Sequence, residues 1–151
     1  MTALDTKDVL ELSPDDYQKA YTEVAFLLDA FASTIDNIMG GNTAPIGRIA
    51  GRDTAKKLPL EFSNPTIQDI VQALNEQMQA GFQFSLDADQ LVFKKCIIGE
   101  LCKIRKIEKG EAVCRLFHSY LDGIMNGLFF RPVKSQVISV GEECRFQTDV
   151  Q

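Results

Sequence analysis

The sequence predicts an α+β fold: N-terminal helices, an antiparallel sheet formed from two hairpins, and a long amphipathic helix between those hairpins. Three observations carry this. Apolar residues recur at helical spacing in the N-terminal half and again from Glu111 onward. After Gly81 the period changes from 3.6 to 2, and strand-like alternation returns after Pro132. Helices and strands stay in separate blocks, which favours α+β over a doubly wound parallel sheet. With 151 residues, no repeats and no linker-like tract, the chain reads as one domain over residues 13–151, preceded by an arm over residues 1–12.

The first helix opens at Ser13-Pro14-Asp15-Asp16, with a Ser cap, Pro at the first helical position and acids where the helix dipole favours them. Its apolar residues Val24, Leu27, Leu28, Phe31, Ile35 and Ile38 form one face, expected to be the buried one, with Asp29 and Asp36 away from it. Gly40-Gly41 stops it. A second, shorter helix runs through APIGRIAGRDTAKKL, where Gly47, Arg48 and Gly51 stand out. Glycines at i and i+4 cost helix propensity, so their presence points to close backbone approach by a neighbour. Asn64-Pro65 opens a third helix with Ile67, Ile70, Val71, Leu74 and Met78 as its stripe and Gly81 as its stop. Phe82, Phe84 and Leu86 then alternate, turn at Asp87-Ala88-Asp89, and return through LVFKKC as a hairpin. The fourth helix carries Val113, Leu116, Phe117, Tyr120, Leu121, Ile124, Met125 and Leu128, and a second hairpin, VKSQVISV and CRFQTDV, turns at Gly141-Glu142-Glu143.

Composition excludes some roles. A net charge of −5 argues against a nucleic-acid-binding surface. The basic cluster Lys103, Arg105 and Lys106 is followed by Glu108 and Glu111 and reads as a solvated turn. VAFLLDAFASTI is broken by Asp29 and is too short to span a bilayer, and the start of the chain has no leader-like pattern. A cytoplasmic setting is therefore expected, where four cysteines are thiols or ligands rather than bridges.

No phosphate loop or nucleophile elbow occurs, so a binding role is expected ahead of a catalytic one. The remaining chemistry lies in Cys96, Cys102, Cys114, Cys144 and the single histidine, His118. Cys114 and His118 stand at i and i+4 and could chelate one ion. Two readings stand: a zinc or iron–sulfur centre, or small core residues, since free cysteine is among the most buried types. Cys96 and Cys102 are also candidates for a redox pair. Ten Phe and four Met without Trp suggest either a soft packed core or an apolar ligand cavity between helices and sheet.

IGRIAGRDTAKKL resembles the Gly/Arg-rich helix of the 4-vinyl reductase (hydrocarbon-binding) domain family. The later blocks are similar to it too: Cys96 with Gly99, Cys114, Asp122-Gly123-Ile124, Gly127, and Gly141-Glu142-Glu143-Cys144-Arg145-Phe146. The resemblance covers about residues 40 to 150. It implies a fold shared with TRAPP vesicle-tethering subunits and with sensing domains of phenol-responsive regulators, usually homodimeric, with a cavity for a small hydrophobic molecule. It also implies a structural zinc site on Cys96, Cys114 and Cys144, with Cys102, His118 or Glu143 as fourth ligand.

The expected function is a stand-alone small-molecule-binding or sensing domain. Its pocket is expected at Phe31, Phe117, Tyr120, Leu121, Ile124 and Met125. An iron–sulfur or thiol redox protein, and a dimeric scaffold without ligand, are the alternatives.

Overall fold

The computed structural model describes residues 11–78 and 81–150. Its elements are α1 (Pro14–Ile38), α2 (Ala44–Lys57), α3 (Ile67–Met78), β1 (Phe82–Asp87), β2 (Gln90–Cys96), α4 (Ile97–Arg105), α5 (Ala112–Phe129), β3 (Val133–Ser139) and β4 (Cys144–Val150). The architecture is α+β. The hairpins β1–β2 and β3–β4 join edge to edge through β2 and β4, giving the antiparallel order β1-β2-β4-β3. The joining register pairs Leu91 with Phe146 and Phe93 with Cys144. The arm expected over residues 1–12 lies, apart from Glu11 and Leu12, outside the described residues.

Glycine decides how α2 meets α5. A methyl group at Gly51 would lie 2.0 Å from the Tyr120 carbonyl oxygen, and one at Gly123 would lie 2.3 Å from the Arg48 carbonyl oxygen. The two backbones touch, so no side chain fits between them. The main core lies beside this contact. Ile70, Val71 and Leu74 of α3, Leu91 and Phe93 of β2, and Leu121, Ile124 and Met125 of α5 form one buried cluster. Asp122, 4% exposed, ties α5 to the sheet by accepting from the Ser135 N–H (3.1 Å) and hydroxyl (2.8 Å). From α3, the Asn75 amide bonds both backbone groups of Phe84, where the β1 register shifts.

Three elements differ from the sequence expectation. The third helix starts at Ile67 rather than at Asn64-Pro65: Thr66 and Asp69 cap each other's backbone N–H, while Asn64 takes a left-handed turn (φ 50). IIGELCKIR forms the helix α4, so Lys103 and Arg105 occupy its last turn rather than a solvated loop. Lys106 caps it in a left-handed conformation. Arg105 is an anchor, not free charge. It pairs with Asp29 at 2.8 Å and covers the Phe26 ring at 3.7 Å.

The third difference is the orientation of α1. Its small residues Ala25 and Ala32 are buried against Leu101, Cys102, Ala112, Val113 and Cys114 in a second, smaller core. Asp29 and Asp36 lie on the same side and pair with Arg105 and Arg115, each at 2.8 Å. The apolar stripe expected to be buried faces outward instead: Val24 is 49% exposed, Leu27 54%, Phe31 59% and Ile38 77%. Alanine permits close helix packing, and the two arginines on α4 and α5 require acids opposite them. Those two constraints together outweigh burial of the larger residues.

Substituting Gly51→Ala should lower the unfolding free energy by about 3 kcal/mol, because the obstacle is backbone that cannot move aside. Gly99→Ala is the control: its methyl would meet only the flexible Lys109 chain, at 3.1 Å. It should stay within about 1 kcal/mol of wild type, helped by alanine's helix propensity. Urea denaturation of the two variants checks this, and equal losses would contradict it.

Candidate functional site

A cavity of about 360 Å³ opens where four segments converge. The end of β2 supplies Phe93 and Cys96, and α4 supplies Ile98 and Gly99. The first turns of α5 supply Cys114, Phe117 and His118, and the β3–β4 turn and start of β4 supply Val140, Cys144 and Phe146. Each position has a local cause. Residues 114, 117 and 118 share one edge of a helix, and 144 and 146 share one face of a strand. Cys96 ends β2 and is at once the residue before α4.

The floor is aromatic. Phe93 meets Phe117 and Phe146 edge-on at 6.2 and 5.6 Å, and Phe82 stacks on Phe117 at 4.8 Å. The His118 ring lies 4.1 Å from the Phe146 ring. Burial lowers His118 to about 4, so at neutral pH it is an uncharged imidazole with one donor and one acceptor nitrogen. The Cys96 thiol is pushed up by burial, against the pull of the Gly99 and Ile98 backbone N–H groups, so it stays protonated. The rim is charged. Lys94, Lys95, Lys103 and Lys109 stand with Glu100 and Glu142. Lys103 pairs with Glu100 at 3.1 Å, and Lys109 donates to the Gly141 carbonyl at 2.5 Å.

The cavity thus gathers Cys96, Cys114, Cys144 and His118, which the sequence had singled out for a metal. Cys102 is not among its walls. It is 1% exposed in the smaller core, with its sulfur 3.8 Å from that of Cys114. Its nearest thiol partner is therefore on α5, not Cys96 at the other end of CIIGELC. Glu143 pairs with Arg145 at 3.2 Å. Among the described residues no group of three or more His, Cys, Asp or Glu side chains is arranged to hold a metal ion. Four donors share a wall without closing a coordination shell.

The residues expected to line a pocket separate. Phe117 lines the cavity. Leu121, Ile124 and Met125 are packed in the main core at 4%, 2% and 0% exposure. The Tyr120 hydroxyl bonds the Thr54 hydroxyl at 2.9 Å. Tyr120 and Phe117 also floor a shallow apolar groove of about 280 Å³ between α1 and α2, beside Leu28, Ile35, Ile46 and Gly47. Phe31 lies outside both, on the exposed face of α1. Sequence reading missed Phe93, Ile98, Val140 and Phe146 as cavity residues. The signal for Phe93 and Phe146 was strand alternation. For Ile98 there was none until IIGELCKIR is read as a helix.

No helix among the described residues is long and apolar enough to cross a membrane. No family model matches the chain, and no curated protein does. Among solved structures the fold is similar to the phenol-responsive sensory domain of the transcription activator PoxR, crystallised with phenol. The TM-score is 0.51 at 10% identity, over 85% of this chain and 73% of that one.

His118 is the single histidine, so its imidazole resonances can be titrated without overlap. They should hold the neutral form down to about pH 4. Its folded value lies below the unfolded one, so unfolded chains bind the extra proton and stability falls as pH drops from about 6.5 toward 4. Between about pH 7 and pH 5 that loss is roughly 2 kcal/mol. His118→Gln should remove it from urea-denaturation profiles.

Proposed function

We propose that this chain is a small-molecule-binding sensory domain whose ligand occupies the cavity between β2, α4, α5 and β4. The observation that carries the reading is the cavity itself: about 360 Å³, with the aromatic floor of Phe93, Phe117 and Phe146 and one buried neutral imidazole. That volume is at the small end of ligand pockets. Aromatic walls suit a flat apolar ring, and His118 suits one polar substituent on it, as a donor or an acceptor. The likeness of fold to a domain crystallised with phenol supports the same class of ligand.

Isothermal calorimetry with phenol, indole and cyclohexanol probes the reading. The aromatic probes should bind saturably, with phenol weakened by His118→Ala. A Cys144→Phe variant, which fills the mouth, should abolish binding while the circular dichroism spectrum is kept. Absence of saturable binding by either aromatic probe, or binding unchanged in Cys144→Phe, overturns it.

The sensory unit is proposed to be a homodimer formed through α1. At 25 residues this helix is about 37 Å long. Its outward stripe of Val24, Leu27, Phe31 and Ile38 exposes large apolar side chains along one helix face, and Ile49 of α2 is 61% exposed as well. Two copies would each bury on the order of 600 Å², the low end for a specific pair. Ile98 and Phe117 line both the cavity and the groove beneath this face, so an occupied cavity can be read at the dimer contact. Light scattering should give a dimer mass for wild type and a monomer for Leu27→Asp with Phe31→Asp. A monomeric wild type at high micromolar concentration would refute the dimer and leave the cavity reading intact.

A further inference from the structure

Cys102 and Cys114 are the closest thiol pair, and neither CIIGELC nor the cavity explains it. Their sulfurs lie 3.8 Å apart, between the last turns of α4 and the first turn of α5. Each sulfur has a different access. Cys114 lines the cavity. Cys102 is 1% exposed and lies behind it, among Leu101, Ala112 and Val113. An oxidant entering the cavity can therefore reach Cys114 but not Cys102, which is the neighbour placed to resolve the product. A disulfide needs the sulfurs about 2.05 Å apart. Closing the remaining gap falls to the two side chains and to the loop from Lys106 to Glu111, which joins the helices without regular structure.

We propose that Cys102 and Cys114 form a reversible disulfide-forming site that responds to hydrogen peroxide. The Cys114 sulfur, giving up its proton, attacks the peroxide oxygen and the O–O bond breaks. Hydroxide leaves as water with the thiol's proton, and Cys114 becomes a sulfenic acid. The Cys102 sulfur then attacks the Cys114 sulfur, the S–O bond breaks, and the departing hydroxide takes the Cys102 proton as a second water. Two thiols lose two electrons in total and one hydrogen peroxide is reduced. A dithiol reductant reverses the bond by exchange. Burial, with Cys114 alongside, pushes the Cys102 thiol up to about 12. Its 1% exposure keeps solution oxidants from reaching Cys102 directly. Cys96 and Cys144 line the same cavity and are the internal competitors. The site stands whether or not the cavity binds an aromatic ligand.

The test treats the reduced full chain with hydrogen peroxide, quenches with an alkylating agent and maps the linkage by mass spectrometry. Trypsin alone leaves Cys96 and Cys102 on one peptide, CIIGELCK, so a glutamate-specific protease is added to cut after Glu100. The expected product has lost two hydrogens and carries a Cys102–Cys114 link that dithiothreitol removes. Cys102→Ser should accumulate a Cys114 sulfenic acid that dimedone labels, and wild type should not. Should serine disturb the buried site in melting curves, Cys102→Ala gives the same readout. A link between Cys96 and Cys144, four unreacted thiols, or over-oxidised Cys114 without a link in wild type would each overturn the proposal.

Discussion

The approach of α2 to α5 is the constraint on which the rest of the structure depends. Gly47, Gly51, Gly123 and Gly127 leave no space for a methyl group between the two helices: each would meet Ser119, Tyr120, Arg48 or Ala55 at well under 3 Å. Backbone contact of this kind fixes the separation and the register together, since a slip of one residue would bring a side chain into the gap. α5 is thereby held as a rod with two working ends. Its second half sits in the main core and grips the sheet through Asp122 and Ser135. Its first turns are then placed where β2, α4 and β4 converge, and the cavity opens there.

α1 follows from the same arrangement by a different logic. The second core offers it a shallow seat lined by Leu101, Val113 and two cysteines, and only alanines at positions 25 and 32 approach closely enough. Two partly buried ion pairs flank that seat. Buried acids without partners would be costly, but Arg105 and Arg115 satisfy them with charge-assisted hydrogen bonds at 2.8 Å. An inverted helix would bury Phe31 and Leu27 but strand both arginines opposite apolar side chains. The outward apolar stripe is thus a consequence of how the charges pair.

Much of the fold was legible because it rests on period and punctuation. The Ser13 cap, the Gly40-Gly41 stop, the change of period after Gly81 and the turn at Asp87–Asp89 are local signals with local causes. The failures have separate causes. Hydrophobic spacing says which residues share a face but not which face finds a partner, and α1 has two eligible faces. α4 was missed because Gly99 lies mid-helix and Cys96 makes no side-chain cap, so nothing marked its start. At the candidate site, Cys96, Cys114, Cys144 and His118, which the sequence singled out, line one cavity. The pairing of Cys102 was not readable, because α4 was not recognised as a helix that turns Cys102 away from Cys96.

The cavity's walls are polarisable but uncharged, and that follows from burial rather than from composition. An imidazole held near 4 and a thiol raised by desolvation keep their neutral forms at neutral pH. Charge is confined to the rim, where Lys103 and Glu100 neutralise each other and Lys109 is committed to the β3–β4 turn. A dicationic metal would draw on thiolates, and desolvation of the Cys96 thiol opposes ionisation at that ligand. The two roles the sequence assigned to this region, a cysteine-bound metal and an apolar pocket, therefore compete for one volume. On the proposed function, the rings of Phe93, Phe117 and Phe146 favour the pocket in that competition.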